Sequence, residues 1–134
     1  MPYEFLEHTA DIKLRVYGKS KAEAFEEALV AFSKYILKGK RMKLVKKKRI
    51  KISGSDGANL VYKFFEELIY LLEAESFIAG KAKISVNENE LTAEITGDDM
   101  KKYSGLGEIK AATYSETYLK ETSDGWELQI VLDV

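Results

Sequence analysis

The sequence predicts an α+β fold, a single-domain two-layer sandwich in which a mixed, mostly antiparallel sheet or sheets pack with two main helices. Two segments repeat apolar residues with the helical spacing of three to four, and most other ordered segments alternate apolar and polar residues. The helices fall between groups of strands instead of alternating with single strands, which favours α+β over a βαβ repeat. With 134 residues, of which 46% are hydrophobic, the chain is predicted to form one domain, residues 1–134.

Two short alternating runs, residues 3–6 and 12–16, predict two strands at the start of the chain. In the second run Ile12, Leu14 and Val16 are expected to face the core, and Gly18 ends the strand. The intervening segment, residues 8–12 (HTADI), is the predicted connection. It places the chain's only histidine, His8, close to a carboxylate, Asp11.

Both helices carry start signals. Ser20 and Glu23 form a predicted capping box before the first helix, and Gly39 is placed to stop it. Asp56 is the predicted N-cap of the second helix, residues 58–75, which is apolar around much of its surface and therefore predicted to be central.

Nine of the residues from Lys38 to Lys51 are basic, and the end of this run, where Ile50 and Ile52 alternate with polar residues, is a predicted strand. The basic segment 38–51 has two interpretations. It steers RNA or an acidic protein surface towards the molecule, or it is a solvated edge strand whose lysines prevent aggregation.

The second half of the chain changes to a period of two. Residues 78–86 and 91–96 are predicted strands joined by a turn at 87–90, and residues 97–107 are a predicted loop. Residues 108–114 and 118–122 are predicted to be extended, and a turn at 123–125 leads to the final strand, 126–134. In that strand Trp126, Leu128, Ile130 and Leu132 share the core face, so Asp133 points to the other side.

Composition excludes several classes of protein. The chain has no cysteine, which excludes disulfides, thiolate zinc sites and cysteine nucleophiles and favours a reducing, cytoplasmic compartment. No apolar run is long enough to cross a bilayer, and no secretory signal is expected from the first residues. A formal net charge of −1 argues against a general polyanion binder, and DNA is not an expected partner.

Asp11, Asp133 and the terminal carboxylate of Val134 are the candidate metal ligands, if the two ends of the chain meet. Carboxylate and main-chain oxygens are hard ligands suited to Ca²⁺ or Mg²⁺. The alternative is that Asp11 belongs to an Asx turn and Asp133 ends a solvated strand.

Four further residues are candidates for contacts to a partner or a phosphate: His8, Lys110, Thr113 and Tyr114. Lys110, if it points at the carboxylates, is suited to bind a phosphate or an acidic group of a partner, with Thr113 and Tyr114 as near neighbours. The alternatives are a solvated lysine and, for His8, a hydrogen-bonding spacer beside a turn.

Taken together, residues 8–12 (HTADI), 60–72, 108–114 (EIKAATY) and 125–134 resemble the archease family, in the family's order and over nearly the whole chain. The resemblance implies a non-enzymatic activator of the RtcB-type tRNA-splicing ligase, an enzyme that joins RNA ends using GTP. It implies that the protein promotes guanylylation and multiple turnover of that ligase, with transient contact to tRNA as a further expectation.

The resemblance also implies site residues. The family's metal-binding positions match Asp11, Asp133 and Val134, with calcium the usual cation, and the family's lysine matches Lys110. Two departures stand out: family members commonly carry a histidine where this chain has Ser115, and often another in the loop where it has residues 103–105 (YSG). No role of those histidines transfers to this chain.

Two other classes of function remain open from the residues alone. One is an RNA-binding or chaperone-like module that acts through the basic segment 38–51, with affinity that falls steeply with salt. The other is a small metal-dependent hydrolase, which needs an open metal position and a base.

Overall fold

The computed structural model describes residues 2–7 and 11–134 of the chain. The predicted connection that contains His8 lies outside the described residues, apart from Asp11 and Ile12. The described part forms these helices and strands in order: β1 (Tyr3–Glu7), β2 (Asp11–Gly18), α1 (Lys21–Leu37), β3 (Lys46–Ser53), α2 (Gly57–Glu75), β4 (Phe77–Asn87), β5 (Glu90–Asp99), β6 (Ala111–Thr122) and β7 (Gly125–Asp133). A 3₁₀ turn, Met100–Lys102, follows β5.

The strands form two sheets. Sheet A has the order β1-β2-β7-β6 and sheet B the order β3-β5-β4, and the registered strand pairs of both are antiparallel. β7 lies inside sheet A, and its residues 128–132 are all buried. The predicted α+β class with two helices and mostly antiparallel sheets is confirmed.

Helix α1 begins and ends where local chemistry predicts. The Ser20 hydroxyl oxygen accepts a hydrogen bond from the Glu23 N–H at 3.1 Å, which satisfies one of the orphan donors of the first turn. The helix ends where Lys38 adopts the left-handed conformation (φ 49°) and Gly39 follows at φ 86°. Its apolar stripe is buried, including Phe25 and Phe32.

Helix α2 is less enclosed than α1, because eight of its 19 residues are buried against nine of the 17 of α1. The expectation that α2 is the central helix is therefore not met. The Asp56 carboxylate accepts from the Asn59 N–H at 2.8 Å, as predicted for its cap. Phe64 is fully buried and meets Phe25 of α1 edge to face at 5.1 Å. Because α1 contacts β2 and β4 and α2 contacts β6 and β4, the helices join the two sheets through one core.

Neither helix in the described part of the chain combines the length and the apolar character needed to cross a membrane.

The predicted loop 97–107 is wrong at its start, because residues 97–99 complete β5. Gly97 pairs with Lys46 on one side and Ala79 on the other. A Cβ at Gly97 would lie 1.9 Å from the Ile78 carbonyl oxygen, so the close approach of the strands requires glycine here. The two predicted extended segments, 108–114 and 118–122, form one strand, β6, which begins at Ala111 and runs to Thr122.

Asp98 is a fully buried carboxylate that fastens the end of β5 to the following segment. The Tyr103 hydroxyl donates to it at 2.6 Å, the Asp99 N–H at 2.8 Å, and Lys102 forms an ion pair at 3.1 Å. The Tyr103 oxygen accepts in turn from the Lys43 N–H at 3.1 Å. The hydrogen bond from Tyr103, opposed by burial and aided by Asp99 and Lys102, lowers the pKa of Asp98 to about 2.

Removing the tyrosine hydroxyl should change how the fold responds to acid. A carboxyl whose pKa is depressed on folding adds stability above its unfolded pKa, near 4, and that contribution is lost as the pH falls towards 2. In Tyr103→Phe the pKa of Asp98 should rise towards its ordinary value, and the free energy of unfolding should fall less steeply between about pH 4 and 2. Urea unfolding across this range and carboxyl NMR titration measure both quantities. Tyr70→Phe, on the exposed side of α2, is the control, and equal pH profiles for both variants would refute the assignment.

Candidate functional site where the first and last strands meet

The beginning of β2 and the end of β7 lie side by side. The two strands pair antiparallel from Asp11 opposite Asp133 to Gly18 opposite Trp126. Residues directly opposite each other in an antiparallel pair point to the same face, with Cβ atoms about 4.5–5.5 Å apart. The structure therefore brings the Asp11 and Asp133 carboxylates together on the face of sheet A that points away from the helices.

The end of β7 is held from its other side by β6. The Lys110 N–H donates to the Asp133 carbonyl oxygen at 2.7 Å, and Ala111 is registered opposite Asp133. The Val134 side chain is partly buried and packs against the core. Asp133 is thus fixed between two strands, so its side chain projects from a rigid position.

Thr113 lies on the same face as Asp133, one diagonal step away. It is registered opposite Val131, two residues before Asp133. Its hydroxyl oxygen is buried and has no hydrogen-bond partner among the described residues. Burial of an unsatisfied hydroxyl costs stability unless something bonds it.

All the candidate ligand atoms of this site are oxygens. Asp11 and Asp133 contribute carboxylates, Thr113 a hydroxyl, and Val134 main-chain oxygen. In the described part of the chain, no three His, Cys, Asp or Glu side chains come together in a metal-binding group. The donor set lacks the nitrogen and sulfur ligands that zinc and copper prefer, and its hard oxygens fit Ca²⁺ or Mg²⁺.

The structure separates the remaining candidates. Lys110 is exposed beside Asp133, and no ion pair links it to another described residue. Its side chain lines a groove of about 250 Å³ against α2 that also contains Glu66 and Glu73.

Tyr114 points to the opposite face of β6 from Thr113 and packs on Tyr62 of α2, with ring centroids 5.3 Å apart. Thr113 and Tyr114 are therefore not both near neighbours of Lys110 as expected, because adjacent residues of a strand face opposite sides. His8 lies outside the described residues.

A long bulge in β6 is not predicted by the sequence. Residues 114–117 lie between two registered pairs, Thr113 with Val131 and Tyr118 with Gln129, where β7 has a single residue. At the bulge Glu116 takes φ 62°, its carboxylate pairs with Lys13 at 2.9 Å, and its carbonyl accepts from the Gln129 amide at 2.7 Å. The bulge therefore covers sheet A next to Asp11. The alternating pattern of the segment gives no sign of it.

A polar network continues along the same face towards the far end of β7. The Arg15 guanidinium donates to the Gln129 amide oxygen at 2.9 and 3.1 Å and to Glu4 at 3.3 Å. The Tyr118 hydroxyl donates to Glu127, and burial, together with this bond, raises the pKa of Tyr118 to about 12. The polar groups of these residues hydrogen-bond to one another, whereas the Thr113 hydroxyl has no hydrogen-bond partner among the described residues.

Comparison with known proteins decides the family. A model described as the archease protein family (MTH1598/TM1083) matches residues 3–134. The chain belongs to the archease family. Protein archease of Methanosarcina barkeri is 33% identical over 139 residues, covering 98% of this chain and 95% of that protein. Protein archease of Pyrococcus furiosus is 32% identical over 139 residues, covering 98% of each.

A solved structure has the same fold. The solution structure of Methanobacterium thermoautotrophicum protein 1598 superposes with a TM-score of 0.79, at 22% identity, and 99% of each chain is covered. The archease resemblance found in the sequence is thus confirmed over the full set of motifs. Asp11, Asp133 and Lys110 all fall within the matched range.

Two threonines of the bulge region offer a matched stability test. Thr113→Val replaces a buried, unbonded hydroxyl with a methyl group of similar shape and should raise the free energy of unfolding by about 1 kcal/mol. Thr117→Val removes the hydrogen bond from the Thr117 hydroxyl to the Thr113 carbonyl, 2.9 Å long, and should lower it by about 1 kcal/mol. Chemical unfolding without added metal measures both. A loss of stability in Thr113→Val would show that the hydroxyl is bonded.

Proposed function

We propose that this archease-family protein is a non-enzymatic cofactor of the RtcB-type tRNA-splicing ligase. It promotes guanylylation and multiple turnover of the ligase in tRNA splicing and RNA repair. The carboxylates at the meeting of β2 and β7 form the surface that acts on the ligase. The observation that supports the proposal best is the direct registration of Asp11 opposite Asp133.

The proposed site holds a divalent cation between the two strands. Like charges directly opposite each other destabilise a sheet, and a cation between Asp11 and Asp133 offsets this repulsion. The main-chain oxygen of Val134 is a third proposed ligand, and the buried Thr113 hydroxyl is a fourth oxygen, on the same face as Asp133. Ca²⁺ is the proposed ion, because it accepts several carboxylate and carbonyl oxygens in flexible geometry, whereas Mg²⁺ demands a near-octahedral set.

Lys110 is the proposed contact to a phosphate or to an acidic group of the ligase. Its backbone is tied to Asp133, while its exposed side chain lines the groove against α2. The lysine and a Ca²⁺ ion at the site would together carry three positive charges at this end of sheet A. That arrangement suits a triphosphate or a carboxylate on the ligase.

Calcium should stabilise the folded protein if the site exists. A ligand that binds only the folded state adds about 2.7 kcal/mol at a hundred times its dissociation constant. Thermal unfolding with calcium and with a chelator should therefore differ, and Asp133→Asn should abolish the difference. Asp124→Asn, an exposed carboxylate in the turn before β7, is the matched control and should keep it. Stabilisation by Mg²⁺ alone would overturn the choice of calcium, and no effect of either ion would overturn the site.

The ligase assay tests the function itself. With limiting ligase and excess RNA ends, the unaltered protein should restore multiple turnover and raise the fraction of guanylylated ligase. Asp11→Ala and Asp133→Ala should each reduce this activation by about tenfold or more. Mutation of residues that only hydrogen-bond to metal ligands already lowers metal affinity or activity by that factor. Asp124→Ala should activate fully. Full turnover with both site variants would refute the proposal.

A further inference from the structure

The outward face of sheet B carries an unusual concentration of positive charge. Nine outward positions of its three strands are here called the basic face: Lys47, Arg49 and Lys51 on β3, Thr92, Glu94 and Thr96 on β5, and Lys81, Lys83 and Ser85 on β4. The five cations are exposed, Glu94 lies among them, and a second carboxylate, Glu90, borders the face in the next row. Since the whole chain has a net charge of −1, this face contrasts with the rest of the molecule.

Strand register arranges these side chains in three rows. Arg49, Glu94 and Lys83 form the middle row; the other two rows are Lys47, Thr96 and Lys81, and Lys51, Thr92 and Ser85. Rows are about 7 Å apart along the strands, and the two edge strands are about 10 Å apart. The cations therefore form two parallel lines with hydroxyl groups between them.

Within the described chain most of this charge is not neutralised. Lys51 pairs with Glu90 at 3.5 Å, and no ion pair joins the other four cations to a described residue. By contrast, Lys46 and Lys48, which alternate with them along β3, pair with Asp99 and Glu75. The structure thus divides the basic segment into a neutralised side and a free side. It also adds Lys81 and Lys83, about thirty residues away, to the free side.

The face is also concave. A depression of about 480 Å³ lies over the strands, lined by Lys47, Arg49, Lys81 and Lys83 among others. A second depression of about 210 Å³ is lined by Arg49, Lys83, Ser85 and Thr92 among others. The two depressions adjoin at the middle row, whose residues line both of them. Together they make a shallow channel along the strands.

Protection of the sheet edges does not account for this charge. β3 and β4 are the edges of sheet B, and a few charges of either sign are enough to block edge pairing. Five like charges beside two carboxylates, Glu94 and Glu90, still repel one another, which costs stability. An anionic ligand removes that cost.

The chemistry of the face favours a phosphate backbone over a protein. Lysine, arginine, serine and threonine are the side chains that contact phosphates and sugars. Protein interfaces depend on aromatic and apolar anchors and are depleted of lysine and glutamate, and none of the nine outward positions is apolar. The hydroxyls of Thr92 and Thr96 lie between the cation lines, where they can bond the 2′-hydroxyl groups that distinguish RNA from DNA.

We propose that the basic face binds the sugar–phosphate backbone of single-stranded RNA without sequence preference. The site is on sheet B, whereas the carboxylates proposed to act on the ligase are on sheet A. RNA binding therefore does not depend on the cation site. With no aromatic residue on the face, affinity comes from phosphate contacts and falls as salt rises.

Binding of a labelled oligouridylate to the full chain tests the proposal. Between about 50 and 200 mM salt, the logarithm of the association constant should fall linearly against the logarithm of salt concentration, with a slope on the order of −2 to −3. Arg49→Gln/Lys83→Gln should reduce the slope by about 1.4 and weaken binding about 25-fold at 0.1 M salt, as expected for two lost contacts to a single strand. Glu94→Gln should tighten binding, because it removes the negative charge that lies between Arg49 and Lys83.

Matched controls separate this site from charge in general. Lys46→Gln/Lys48→Gln removes two charges from the same strand on its neutralised side and should weaken binding much less. Asp11→Asn should bind RNA as the unaltered protein does. RNA binding can therefore be tested even if the proposed cation site proves wrong. Circular dichroism confirms that each variant is folded.

Four outcomes would overturn the proposal. They are absence of binding by the unaltered protein at low salt, equal losses in the two double variants, equal affinity for single-stranded DNA of the same length, and tighter binding of a polyglutamate peptide than of RNA. The last would identify an acidic protein as the ligand.

Discussion

The antiparallel pairing of β2 with β7 is the constraint on which the rest of the structure depends. It joins segments more than a hundred residues apart through eight registered pairs, and it places β7 inside sheet A. A shift of one residue would turn every side chain of a strand to the opposite face. The buried Leu14 and Val16 of β2, and Leu128 and Ile130 of β7, exclude that shift. The core therefore fixes which carboxylates meet, although neither carboxylate is part of it.

Charge of opposite sign is concentrated at two separate places on the two sheets. Two carboxylates meet at one end of sheet A, and five cations, most of them without an ion pair to a described residue, lie on the outward face of sheet B, although the net charge of the chain is −1. The fields of such charges orient a charged partner during approach and extend about 10 Å at ordinary ionic strength. Under the two proposals, each sheet contacts a different part of an assembly that contains RNA.

Features set by local chemistry could be predicted from the sequence, and features set by distant contacts could not. Ser20 and Asp56 act as helix caps because the rule involves only the next three residues. Asp98 falls in the predicted loop 97–107, but it is buried at the end of β5, where Tyr103 and Lys102 bond its carboxylate. The meeting of Asp11 with Asp133 was expected on the assumption that the two ends join, strengthened by the family resemblance. The bulge at Glu116 and the alignment of Lys83 with Arg49 depend on strand register, which no single segment encodes.

The tight turn between β6 and β7 has a practical consequence. It lies about 27 Å along β7 from Asp133, as eight residues of extended chain require. The natural chain has no cysteine, so Asp124→Cys would introduce a unique thiol at this turn. A fluorophore attached there would lie away from the carboxylates while remaining within energy-transfer range of a dye on a bound oligonucleotide. Energy transfer between the two dyes would then report binding in real time.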